Sequence, residues 1–214
     1  MILSDIAVTA ITNFILAGET FFLSGLFFAR PKTARTAAWF WQLALLTMAM
    51  SALLGGIDHG FFEVQVHPSA RQWIAHVNWF LIGLLTLFVF LTVAQQFFEH
   101  PWRRVAHLAA VVQLVVYTLL MAFQNSYRVV ILNYLPVLFL LLVYNSIGLR
   151  RGTGTWNMNI AILITILSSL VQAAGIDAFS PLDRNGLYHL GMMLALVFFY
   201  KGGLGLKRMA PMGH

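Results

Sequence analysis

Seven times along this sequence the chain runs for about twenty residues with almost no charge, the length that a helix rising 1.5 Å per residue needs to cross a hydrocarbon core of ~30 Å. The runs lie near 6–29, 37–62, 72–98, 102–124, 127–149, 156–177 and 185–206, joined by short polar connections. Within lipid no water reaches the backbone, so each run must satisfy its own N–H and C=O groups as a helix. The ten-residue alternation of β-barrel strands is absent. A soluble fold fails on charge, because 60 % of the 214 residues are hydrophobic, 9 % are charged, and seven acidic residues cannot clothe a soluble core of this size. The expected fold is all-α, a single domain over 1–214 built as a bundle of seven transmembrane helices.

Orientation follows from the cations. Arg30, Lys32 and Arg35 follow the first run, Arg103 and Arg104 the third, Arg150 and Arg151 the fifth, and Lys201, Lys207 and Arg208 close the chain. These ten of thirteen share one side, while Arg71, Arg128 and Arg184 stand on the other with Asp5, Asp58, Glu63, Asp177 and Asp183. The positive-inside rule then predicts an N-terminus outside and a C-terminus in the cytoplasm. The same distribution accounts for the net charge of +6, and with no basic helix or aromatic-basic interleaving no nucleic-acid partner is expected. No basic stretch precedes the first run and no small-residue cleavage site follows it, so it is expected to be kept. Trp39, Trp41, Trp73, Trp102 and Trp156 fall near predicted helix ends, where indole rings anchor at the interface. Pro136, inside the fifth run, is expected to bend its helix. Without cysteine, neither a disulfide nor a thiolate site is possible.

Ionisable groups inside a membrane cost enough to be candidates for function. Glu19 stands near the middle of the first run, where a carboxyl either takes up a proton or finds a partner. His59 lies about three residues before the outer end of the second run, and His76 and His189 about four residues into the third and seventh. All three therefore reach roughly the same depth, about 5–6 Å below the outer surface. Three imidazoles at one level suit a zinc ion with an open position for water, with Asp58 orienting a ligand or the water and Glu19 relaying a proton. Arg128 and Tyr188, also at the outer side, are candidates for holding a ligand; snorkelling to the interface competes for Arg128. His67, His100 and His107 fall in or near loops and are set apart. Lys201, near the cytoplasmic end of the last run, reads as a positive-inside charge and not as an attachment point for retinal.

Two strings carry a resemblance: Gly-Gly-Ile-Asp-His-Gly-Phe at 55–61, ending the second run, and Arg-Asn-Gly-Leu-Tyr-His-Leu at 184–190, opening the seventh. A histidine late in helix 2 and another early in helix 7 resemble the pattern of the CREST superfamily, seven-helix proteins that include alkaline ceramidases and adiponectin-receptor relatives. The resemblance implies a zinc ion held by one histidine of helix 2 and two of helix 7, and hydrolysis of lipid amides. His59 and His189 are the positions that carry over. The chain departs from the pattern at Asn185 and Met193, where a second helix 7 histidine is missing, and at Gly55, where a helix 2 serine is expected. Bacterial members of that group as nearest kin imply a bacterial inner membrane.

The leading expectation is a zinc-dependent hydrolase acting on a lipid amide or ester near the outer leaflet. A non-enzymatic sensor or assembly subunit that binds a lipid or apolar small molecule, and carries no cofactor, is the alternative. A b-type haem protein with two of these histidines as axial ligands and a proton or ion transporter built on Glu19 are further readings. Membrane lipids are the expected surroundings in every case.

Overall fold

The computed structural model describes residues 4–63, 68–177 and 182–207. Among them the chain is all-helical, with helices α1 (Asp5–Phe28), α2 (Ala37–Ile57), α3 (Pro68–Phe97), α4 (Trp102–Gln124), α5 (Tyr127–Arg150), α6 (Trp156–Ala173) and α7 (Arg184–Gly203). α2 runs without a break into one π turn, Asp58–Phe62. The bounds follow the expected runs to within about four residues at most ends. His67 and Arg208 lie outside the described residues.

The local sequence explains where the helices begin. Ser4, Thr36, Ser126, Thr155 and Asp183 each sit in extended backbone and accept from an amide two or three residues on, at Ala7, Trp39, Arg128, Met158 and Gly186. These bonds satisfy donors that a helix N-terminus otherwise leaves open. α4 ends on Asn125 in the left-handed region, φ 42°. α6 gives way to Gly175, φ 68°. α5 continues through Pro136. One turn before the proline, where its ring weakens the ladder, Gln113 of α4 donates to the Asn133 carbonyl at 3.0 Å and to Asn133 Oδ1 at 3.1 Å.

Six helices form a closed ring in the order α1, α2, α3, α5, α6, α7, and α4 packs outside it against α3 and α5. The exterior is that of an integral membrane protein. Phe123 is 83 % exposed, Leu132 73 % and Leu108 66 %, whereas Thr9, Thr20 and Thr92 are fully buried. A surface carrying this many large exposed apolar side chains is stable where the solvent is hydrocarbon. α1, α2 with its π turn, α3, α4, α5 and α6 are long and apolar enough to cross a membrane. Trp73, Trp102 and Trp156 are exposed near helix ends as interface anchors should be, but Trp41 is buried on the inside of the ring. It rests against Gly203, where a Cβ would come within 2.6 Å of its ring. The expectation that Trp41 anchors at the interface is therefore corrected: its helix turns it inward.

The rim holding most of the cations is tied by buried amides. Asn145 donates to Asn159 Oδ1 at 2.6 Å and to the Thr155 carbonyl at 2.8 Å, and accepts from Thr155 N at 3.1 Å. Gln96 donates to the Thr153 carbonyl at 2.8 Å and accepts from Lys207 N at 2.9 Å, joining α3 to the α5–α6 turn and to the segment after α7. Ala38 N donates to the Lys207 carbonyl at 3.0 Å.

Candidate functional site

The ring encloses a cavity of about 350 Å³. On α2 the residues that face it are Trp41, Ala44, Leu45, Met48, Ser51 and Ala52, then Gly55, Asp58 and His59, a repeat of three and four that traces one stripe of a helix. α3 contributes Ile74, Ala75, Asn78, Trp79, Ile82 and Leu85, continuing through Thr86 and Val89, on the same rule. α1 adds Asn13 and Leu16, α5 Tyr127, Tyr134, Val137 and Leu138, and α6 Thr165 and Gln172. α7 supplies Asn185, Tyr188, His189, Met192 and Phe199. None of the lining comes from α4.

The chemistry is graded along the cavity. His59, His189, Asp58, Asn185 and Gln172 crowd the end where α1 and α7 begin, with Asn13, Ser51 and Asn78 just below. The opposite end is formed by Trp41 and Phe199, whose rings lie 5.4 Å apart, with Leu45 and Val89 nearby. Trp41 Nε1 is buried there without a hydrogen-bond partner. At the polar end α1 and α2 approach closely at Gly55, where a Cβ would meet Asn13 Oδ1 at 2.9 Å and the Asn13 side chain would have to shift.

Each cavity histidine is fixed through one ring nitrogen. His189, 7 % exposed, lies with Nδ1 2.9 Å from Thr12 Oγ1. The Thr12 hydroxyl donates to the Thr9 carbonyl at 3.0 Å, which leaves its oxygen to accept from His189 Nδ1–H. Thr9 in turn donates to Asp183 Oδ1 at 2.9 Å, tying the start of α1 to the cap of α7. His59 Nδ1 bonds the carboxylate of Glu63, four residues on across the π turn. In the neutral imidazoles these bonds put the proton on Nδ1 and leave Nε2 with a free lone pair. A π turn at such a place is a recurrent device for aiming a side chain.

A compact ion cluster surrounds His59. Arg71 of α3 reaches Glu63 Oε1 at 2.7 Å and lies 3.4 Å from both carboxylate oxygens of Asp58. Asp58 Oδ1 is buried and accepts no hydrogen bond of its own. Burial pushes the Glu63 carboxyl up, but the hydrogen bond and charge of His59 and the charge of Arg71 outweigh it and hold the group below the usual carboxylate range. Glu63 therefore stays ionised and bound at neutral pH.

Two of the three histidines expected at one depth come together, and the third does not. His76 is absent from the cavity wall; its Nδ1 lies 2.8 Å from the Gln72 carbonyl and its ring meets Trp79 edge-on at 5.4 Å. The physical reason is azimuth. Ala75, Asn78, Trp79 and Ile82 define the inner stripe of α3, and at 100° per residue His76 points well away from it. Among the described residues no group of three or more His, Asp or Glu side chains converges to hold a metal ion. The residues present thus do not fit a three-histidine zinc site. The partner that orients His59 is Glu63, not Asp58. Glu19 is half-buried on α1 away from the cavity, which argues against a proton relay through it. Arg128 is exposed at the rim, outside the lining, whereas Tyr188 lines the cavity with its ring 5.6 Å from that of His189. Asn13, Asn78, Trp79, Tyr127 and Glu63 were not singled out from sequence, although the three-four stripes through Ser51, Gly55 and His59 and through Asn185, Tyr188 and His189 would have pointed to the inner faces.

No curated protein and no solved structure matches this sequence. Residues 8–208 match the model of a family of unknown function, DUF6962, and the chain belongs to that family.

Proposed function

We propose that this protein is a seven-span membrane protein, N-terminus outside and C-terminus cytoplasmic, that binds a lipid-like amphiphile inside its helical ring. The observation that carries the reading is the graded cavity, polar at the end of His59 and His189 and apolar at the end of Trp41 and Phe199. Its wall follows α2 from Trp41 to His59, a rise of about 27 Å, and α7 from Asn185 to Phe199, a rise of about 21 Å. A bilayer core of ~30 Å is two chains thick, so this length holds one extended alkyl chain with its head group.

The seventh span rests on geometry where composition is weak. Arg184, Asn185, His189 and Lys201 make α7 the most polar helix, yet its 20 residues measure about 30 Å. It starts level with the beginning of α1, through the Thr9–Asp183 bond, and the segment after it meets the beginning of α2, through Ala38 and Lys207. Its neighbours α1 and α6 are both long and apolar enough to cross. The nine described cations after α1, α3, α5 and α7 share one rim, which supports the cytoplasmic assignment. Because the chain has no cysteine, single introduced cysteines report this directly. In intact cells or right-side-out vesicles, Arg128→Cys is expected to react with an impermeant maleimide and Arg151→Cys only after permeabilisation; the reverse pattern would overturn the orientation.

Binding, unlike hydrolysis, asks only for shape and a few placed polar groups, which this cavity has. Hexadecanol added to purified protein in nanodiscs is expected to raise the unfolding temperature saturably, as a ligand of the folded state must. At a hundred times its dissociation constant the stabilisation is about 2.7 kcal/mol. A shift that rises without saturation, as general bilayer softening or stiffening would give, counts against a site.

A further inference from the structure

We infer that the occupant is a single-chain amphiphile whose head group donates hydrogen bonds and carries no negative charge, an alcohol or a primary amine seated against His59 and His189. The inference rests on the binding reading above and names the chemistry of the same cavity.

A chain that leaves the bilayer for the cavity exchanges one hydrocarbon surrounding for another, so little selectivity comes from the tail. Selection lies with the head. There the protein offers acceptors. Thr12 and Glu63 take the Nδ1 protons of His189 and His59, which leaves both Nε2 lone pairs without a donor among the described residues. Asp58 Oδ1 is buried and accepts no hydrogen bond. Asn13 donates one of its two amide N–H groups to the Thr9 carbonyl at 3.2 Å and keeps Oδ1 on the Gly55 side. The Ser51 hydroxyl and one amide N–H of Gln172 are bonded to Asn78 Oδ1 and Asn185 Oδ1. The amide N–H groups of Asn13, Asn78, Asn185 and Gln172 that these bonds leave over, and the hydroxyls of Tyr127 and Tyr188, can donate, but none of them carries a positive charge.

Charge decides against an anion. Among the described residues no lysine or arginine lines the cavity. Beside His59, Arg71 is divided between Glu63 and Asp58, so two carboxylates share one guanidinium there. A carboxylate, phosphate or sulfonate head placed here would meet lone pairs and an excess of negative charge in a setting that screens it poorly. A hydroxyl or an amine instead supplies the donors that the two Nε2 atoms and Asp58 Oδ1 lack among the described residues.

The test compares four probes with one tail in zwitterionic nanodiscs, each titrated against wild-type protein by thermal unfolding: hexadecanol, hexadecylamine, hexadecanesulfonate and hexadecyltrimethylammonium. The alcohol and the amine are expected to bind at least tenfold more tightly than the sulfonate, which is an acceptor, and the trimethylammonium, which is cationic without N–H donors. His189→Leu is expected to reduce that preference to about twofold, with a helical circular-dichroism spectrum and a cooperative unfolding transition showing that the variant is folded. Thr12→Val, which removes the acceptor for Nδ1 and leaves the imidazole in place, is expected to weaken alcohol binding in the same direction. Sulfonate binding as tight as alcohol binding would overturn the inference and leave the cavity reading standing. Trimethylammonium equal to the amine, with the alcohol weak, would overturn it in favour of charge recognition alone. If none of the four binds saturably, the cavity reading fails and the inference with it.

Discussion

Alanine at Gly154 is expected to cost about 3 kcal/mol of stability, a single methyl group that opens the clasp at the cation-rich rim of the bundle. A Cβ on Gly154 would lie 2.2 Å from the Asn145 carbonyl oxygen and 2.7 Å from Leu149 N. Both are backbone atoms of α5, so no side chain can swing aside, and the α5–α6 turn must move. Moving it breaks the bonds of Asn145 to Thr155 and Asn159 and of Gln96 to Thr153. Each buried group left unpaired adds roughly 1–3 kcal/mol, which is why the clasp should fail as a unit. Denaturation of Gly154→Ala in mild detergent, beside Gly152→Ala in the same turn, measures this. Gly152 has nothing within 4 Å of its Cβ position but a φ of 71°, so its alanine variant carries backbone strain without collision. Gly154→Ala should be the worse of the two, and equal stability of Gly154→Ala and the wild type would show that the close contact does not hold the turn.

Ala52→Phe is expected to lower hexadecanol affinity at least tenfold while costing little stability. Ala52 is buried on α2 at the cavity wall, one turn below Gly55 and two below His59, and the added ring has empty volume to enter. Overpacking of a filled core costs 1–3 kcal/mol, but a ring placed into a void replaces missing contacts. The two variants separate fold from site: the first should unfold early and the second should remain folded and lose its ligand. If Ala52→Phe binds the probe like the wild type, the chain lies elsewhere on the protein.

The helices were legible because lipid imposes one rule on every apolar run, whatever its side chains do. Ser4, Thr36, Ser126, Thr155 and Asp183 mark the helix starts in plain view, and the cations sort by rim. α7 is apolar over a shorter stretch, because Asn185, Tyr188 and His189 turn into the cavity while Arg184 and Lys201 stand exposed at its two ends. The site was half legible. His59 and His189 could be paired from depth and from the CREST-like strings, but depth fixes only one coordinate of a helical residue. Azimuth fixes the other, and it removes His76, Glu19 and Arg128 from the cavity while bringing in Asn13, Asn78 and Trp41. Glu63 was placed among the outer acids, and nothing in the spacing announced that a π turn would set it on His59. Among the described residues nothing supports the expected zinc site: His76 does not join His59 and His189, whose Nδ1 atoms are taken by Glu63 and Thr12.

The most direct measurement is a crystal structure in a lipid phase with hexadecanol brominated at its terminal carbon, read by the anomalous signal of bromine. One peak is expected inside the ring, beside Trp41 and Phe199, with hydroxyl density at the Nε2 atoms of His59 and His189. Bromine found only in the lipid belt around α4 and α5, with water in the cavity, would contradict the proposal that this protein binds an amphiphile within its bundle.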